Sequence, residues 1–225
     1  MELCSRVAIF GSFVLFAAGI ALISAALCTE RWVEATALRH TNDTSDSNLI
    51  RTGLFTGFRK LDYGLGARVY EFNVHDELSR EVSFMRRTMW VCTLVFAGLA
   101  VLWALIGVVF SLVNTVMRPV EEITGPRGLF LWSTLALLCT LISGGLFLSQ
   151  YFTSMRKDML LKYQREAGFT SENRARLDYS FWLMVGAGGS FVLVTVLMLC
   201  SNLKLKVSKS RKRFEKGFDG GELMY

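Results

Sequence analysis

Charge is missing from four long stretches of this chain: Val7 to Cys28, Met89 to Val113, Gly128 to Gln150 and Phe181 to Ser201 hold no Asp, Glu, Lys or Arg. Each exceeds the roughly 20 residues that carry a helix, at about 1.5 Å per residue, across a hydrocarbon core of about 30 Å. Inside lipid every backbone N–H and C=O must be satisfied within the segment, so such runs form helices. The same absence removes intramembrane chemistry. An ionisable residue in a span costs at least about 2.5 kcal/mol on insertion scales and is kept where a proton or ion uses it. With none here, ion coupling within a monomer and a proton relay lose their support, whereas a pore lined by backbone or assembled from several subunits does not.

Metal ligands and catalytic groups are equally scarce. His40 and His75 are the only histidines, and neither has a Cys or carboxylate at metal-ligand spacing. The cysteines are Cys4, Cys28, Cys92, Cys139 and Cys200, none of which falls inside the outer loops, so no disulfide is drawn there. Cys28 and Cys92 read as buried free thiols, able to pair only if adjacent. Cys4 and Cys200 are weak candidates for palmitoylation. No Gly-x-Ser-x-Gly, phosphate loop or paired intramembrane carboxylates occur, so no enzyme activity, cofactor, metal or nucleic-acid partner is expected.

What is present sets a topology. Four spans put both termini on one side, and the end of the chain carries Lys204, Lys206, Lys209, Arg211, Lys212, Arg213 and Lys216. Lys and Arg near span ends stay cytoplasmic, so both termini are expected inside, although Arg86, Arg87, Arg156 and Lys157 oppose this from the other side. Asn42-Asp43-Thr44 is the one Asn-x-Ser/Thr sequon, and Asn42 is glycosylated only if its loop is outside. The first run is too long for a signal peptide and reads as a retained anchor. The expected plan is an N-terminus over 1–6, spans over 7–28, 89–113, 128–150 and 181–201, outer loops over 29–88 and 151–180, an inner turn over 114–127, and a basic tail over 202–225.

The first outer loop alternates apolar and polar residues from Arg68 to Val74, a period of two that predicts a strand, and Trp32 to Leu38 fits another. Gly53, Gly57, Gly64 and Gly66 punctuate them, which gives a small antiparallel sheet. Asp76 to Arg87 and Met155 to Gly168 are expected to prolong the second and third spans outward as helix. The fold class is thus a membrane all-α four-helix bundle with a small extracellular sheet. Ala17, Ala21 and Ala25 on the first span, and Gly186 with Ser190 on the fourth, are spaced for close helix packing, expected within the bundle, with a dedicated dimerisation face as the alternative. Gly125-Pro126 sets a turn and a helix start. Trp90, Trp182 and Trp132 fit interfacial positions, and Trp103 is deep enough to be a packing residue.

Two features of the tail suggest partners. Its basic residues are suited to anionic lipid at about 1 kcal/mol each, and serve equally as topogenic charge. Leu223, Met224 and Tyr225 end the chain with apolar residues at the last and third-last positions, the form that adds as a strand to a PDZ domain.

The set Trp32-Val33-Glu34-Ala35-Thr36, Gly53-Leu54-Phe55-Thr56-Gly57, Gly64-Leu65-Gly66-Ala67-Arg68, Gly125-Pro126-Arg127-Gly128, Ser180-Phe181-Trp182 and Leu223-Met224-Tyr225 runs in order along four spans. It is similar to the clarins, a branch of the claudin-like tetraspans, with Phe55 where claudins have a second tryptophan. Arg39 and Tyr63 stand where some clarins carry cysteines, which makes the chain most similar to the cysteine-poor third paralogue. The resemblance implies a non-enzymatic plasma-membrane scaffold or accessory protein of sensory hair cells, acting in membrane and actin-bundle organisation and in the perception of sound. A channel-associated or pore-forming subunit is the alternative. Membrane or junctional proteins and a PDZ adaptor are the implied partners.

Overall fold

The computed structural model describes residues 2–39, 48–64, 66–79, 85–116 and 126–219. Four helices are long and apolar enough to cross a membrane: α1 (Glu2–Cys28), α3 (Arg87–Val116), α4 (Pro126–Gln150) and α6 (Tyr179–Asp219). A short helix α2 (Val74–Ser79) precedes α3, and α5 (Lys162–Glu166) lies between α4 and α6.

Small residues set the helix spacing. Along α3 the buried positions after Trp90 are Thr93, Ala97, Ala100, Ala104, Gly107, Ser111 and Asn114, alternating three and four residues apart as a left-handed helix seam requires. Bulk from the neighbours fills the space they leave. A Cβ on Gly107 would stand 2.5 Å from the Phe16 ring, and one on Gly19 would stand 2.5 Å from the Phe191 ring. Phe16 and Phe191 lie 6.1 Å apart at the bundle centre and are fully buried. Hydroxyls join the helices where no water reaches: Ser111 Oγ donates to the Ile9 carbonyl at 2.7 Å, and Ser143 Oγ to the Thr93 carbonyl at 2.8 Å. Ala17, Ala21 and Ala25, expected in the packed interior, instead face outward. The expected pair Gly186 and Ser190 divides, Ser190 being buried and Gly186 exposed.

Strands β1 (Val33–Thr36), β3 (Leu49–Thr52), β4 (Thr56–Asp62) and β5 (Ala67–Asn73) come from the first loop, and β7 (Ala175–Leu177) from the second. They form one antiparallel sheet in the order β5-β4-β3-β1-β7, while β2 (Leu38–Arg39) pairs with β6 (Phe169–Thr170). The two loops therefore share a sheet, with Val33 opposite Leu177 and Ala35 opposite Ala175. Both expected strands are present. Neither expected helical extension is. Val74–Ser79 is a separate helix of 6 residues, and beyond α4 the chain makes a π turn at Tyr151–Met155, turns again and returns as strand. Gly168 ends α5 with φ +86°, as its place at a helix end requires.

No break separates the basic tail from the fourth span: α6 is one helix of 41 residues, so Lys204 to Lys216 lie on helix.

Candidate functional site

With no charge in the spans, the chemistry of this chain lies in the sheet and its junction with the bundle. Three aromatic side chains make that junction. Trp32 is fully buried, donates from Nε1 to the Ala26 carbonyl at 2.6 Å and sits edge-on to Phe147 at 4.6 Å. Trp90, at the head of α3, donates from Nε1 to the Leu54 carbonyl at 2.8 Å. It was expected at the lipid interface, but it is 7% exposed and holds the loop instead. Tyr151 donates from its hydroxyl to the Ala175 carbonyl at 2.7 Å, fixing β7 over the end of α4. Each buried ring thus places its polar atom on a backbone acceptor, which satisfies the donor it carries inside the protein.

The outer sheet has its own polar centre. Along β4 inward and outward positions alternate, and Arg59 takes an inward position between Gly57 and Leu61. Its guanidinium binds Glu77 of α2 in two-point fashion, Nη1 to Oε1 at 2.5 Å and Nη2 to Oε2 at 2.7 Å, and lies 4.1 Å from the Phe72 ring centre. Such a fork satisfies both charges while they leave water. Beside it is a cavity of about 460 Å³ lined by Arg59, Thr56, Tyr70, Glu71, Phe72 and Asp76 among others. Thr56 Oγ1 donates to Glu30 at 2.6 Å across one wall, and the second loop reaches the cavity through Gln164. Tyr70 and Val69 on the edge strand β5 are exposed, so this edge presents apolar surface beside an acidic cavity.

The glycines of the loop have distinct roles. Gly64 and Gly66 have φ of +95° and +99°, and both N–H groups donate to Asp62 Oδ1, at 2.8 and 3.1 Å. This is the turn expected before the strand at Arg68. Gly57 does not punctuate; it lies inside β4, where a Cβ would stand 2.6 Å from the Phe72 ring. Gly53 lets the chain pass the end of α1, since a Cβ there would meet the Thr29 carbonyl oxygen at 2.7 Å.

A sequence profile described as Clarin-2-like matches residues 5–199, which takes in all four spans and both loops. The chain belongs to the clarin family. It is 24% identical to human Clarin-3 over 82% of this chain and 78% of that protein. To human Clarin-1 it is 25% identical over 75% of each, and to mouse Clarin-2 it is 23% identical over 84% of this chain and 85% of that protein. These identities lie within two percentage points and do not separate the paralogues.

In this clarin the described motif residues of the first loop are structural. Trp32, Gly53, Leu54 and Gly57 bring the sheet against the bundle and let its strands close. Asn42 lies outside the described residues, as do Leu223, Met224 and Tyr225. Lys204, Lys206, Lys209, Arg211, Lys212, Arg213 and Lys216 are carried by α6. Cys28, Cys92, Cys139 and Cys200 are free thiols; of the two read as buried, Cys28 is exposed and Cys92 half-buried. Reading the sequence did not single out Arg59 and Glu77. Their signal was an arginine at an inward position of the alternation Gly57, Arg59, Leu61, visible once β4 is recognised as a strand.

Proposed function

We propose that this clarin is a non-enzymatic plasma-membrane scaffold or accessory protein whose outer sheet meets partner proteins and whose tail couples to cytoplasmic adaptors. The observation that carries this reading is the joining of both loops into one sheet held on the bundle by Trp32, Trp90 and Tyr151. A sheet tied to a bundle whose spans carry no charge is suited to presenting a surface. Its partners are membrane or junctional proteins, and its place in sensory hair cells, in actin-bundle organisation and the perception of sound, follows from the family alone. The orientation puts the sheet outside and both termini in the cytoplasm. The second reading is a claudin-like or receptor-auxiliary channel subunit, for which the shared tetraspan architecture is the support.

Planar-bilayer recording of the purified chain separates the two. A scaffold gives no conductance above the lipid background; a reproducible unitary conductance overturns it. The adaptor is tested with the C-terminal peptide against a panel of PDZ domains. Appending one alanine after Tyr225 displaces the carboxylate and should abolish binding. Equal binding by native and extended peptides removes the adaptor from the proposal.

A further inference from the structure

Five cations crowd the boundary between the bundle and the sheet. Arg86 and Arg87 stand at the head of α3, Arg156 and Lys157 follow the last residue of the span that ends at Met155, and Arg174 precedes β7; all five are exposed. Backbone and side-chain contacts tie these segments together. Gln150 Nε2 donates to the Arg86 carbonyl at 3.2 Å, the Asn173 N–H to the Arg156 carbonyl at 2.9 Å, and the Tyr151 hydroxyl to Ala175, the residue after Arg174. Among the described residues no carboxylate pairs with any of the five. Asp158 binds Arg165 at 3.1 Å, which leaves Glu172 as the exposed acid beside them.

The level of the cluster identifies its ligand. Phe152, 52% exposed, lies within the third span, and Arg156 stands 6.0 Å from its ring centre. An exposed ring in the span with a guanidinium above it marks the hydrocarbon boundary, the height of lipid headgroups. On the orientation proposed above these cations are also on the outer side, where Lys and Arg near spans are scarce. We infer that Arg86, Arg87, Arg156, Lys157 and Arg174 form a site for an anionic lipid headgroup in the leaflet that bears the sheet, with the acyl chains running past Phe152. Phosphate, sulfate or carboxylate oxygens fit the arginine forks.

The site is separate from the basic tail, which meets the opposite leaflet. The test removes the tail's contribution by using the full chain with its seven tail cations changed to Gln, reconstituted in phosphatidylcholine nanodiscs with spin-labelled phosphatidylserine or phosphatidylcholine as probe. Electron spin resonance gives the fraction of each probe immobilised at the protein. This chain should select phosphatidylserine by about fivefold or more at low salt, since one Lys or Arg near the surface is worth about that factor. Adding R86Q, R87Q, R156Q, K157Q and R174Q should bring the selection to unity, while replacing the four arginines with Lys should preserve most of it. No selection in the tail-neutral chain, or equal selection after the five Gln changes, overturns the site. Sulfate that abolishes selection at constant ionic strength, where chloride does not, would assign the cluster to a free anion and overturn the lipid.

Discussion

At the scale of single residues, the conformation of the loop depends on positions that make almost no contacts. A Cβ at Gly66 would meet nothing within 4 Å, yet its φ of +99° is one that L side chains avoid. Gly66→Val should therefore cost about 1 to 3 kcal/mol through the backbone alone, while Gly66→Asn should be tolerated. Thermal unfolding in detergent measures the difference, and equal loss in both variants would mean a missing contact instead of strain. Arg59 and Glu77 pose the opposite case, in which contact is everything. Breaking the buried pair with Arg59→Met should cost about 3 kcal/mol, and adding Glu77→Leu should recover part of it because no charge is then left buried. A double-mutant cycle on unfolding temperature checks the coupling; additive effects would show that the two-point contact contributes little.

At the scale of elements, the size of the residue at a helix crossing decides which helices touch. Gly107→Leu should disrupt the bundle by forcing Phe16 aside, at about 1 to 3 kcal/mol or more, whereas Ala21→Leu, on an outward face, should be neutral. Unfolding and surface delivery of the two variants give the comparison. The reversal is instructive about what sequence reveals. Four spans, two strands and the Gly64–Gly66 turn were legible because lipid crossing, strand alternation and positive φ each impose a local rule. The choice of Gly19 and Gly107 over Ala17, Ala21 and Ala25 as packing positions was not, since small-residue spacing gives a face without saying which neighbour it meets. Trp90 and the two loop segments read as helical extensions were misplaced for the same reason. Their partners, Leu54 for Trp90, Arg59 for Glu77 and Asn173 for Arg156, are distant in sequence.

At the scale of the whole molecule, orientation governs every proposed contact. If the sheet is outside, Asn42 is glycosylated, and glycosidase should increase the mobility of the wild-type chain but not of Asn42→Gln. Unchanged wild-type mobility would withdraw this support for the orientation.

The pairing of β1 with β7 has a mechanical consequence. β1 follows α1 within a few residues and β7 runs directly into α6, so a load applied to the sheet is divided between two helices through a short ladder held in shear. Helix α6 then continues unbroken for 41 residues, a length of about 62 Å at 1.5 Å per residue. A tilt imposed at the sheet would be carried along this strut to its far end without a hinge among the described residues, so a pull on one side of the membrane becomes a sideways displacement on the other.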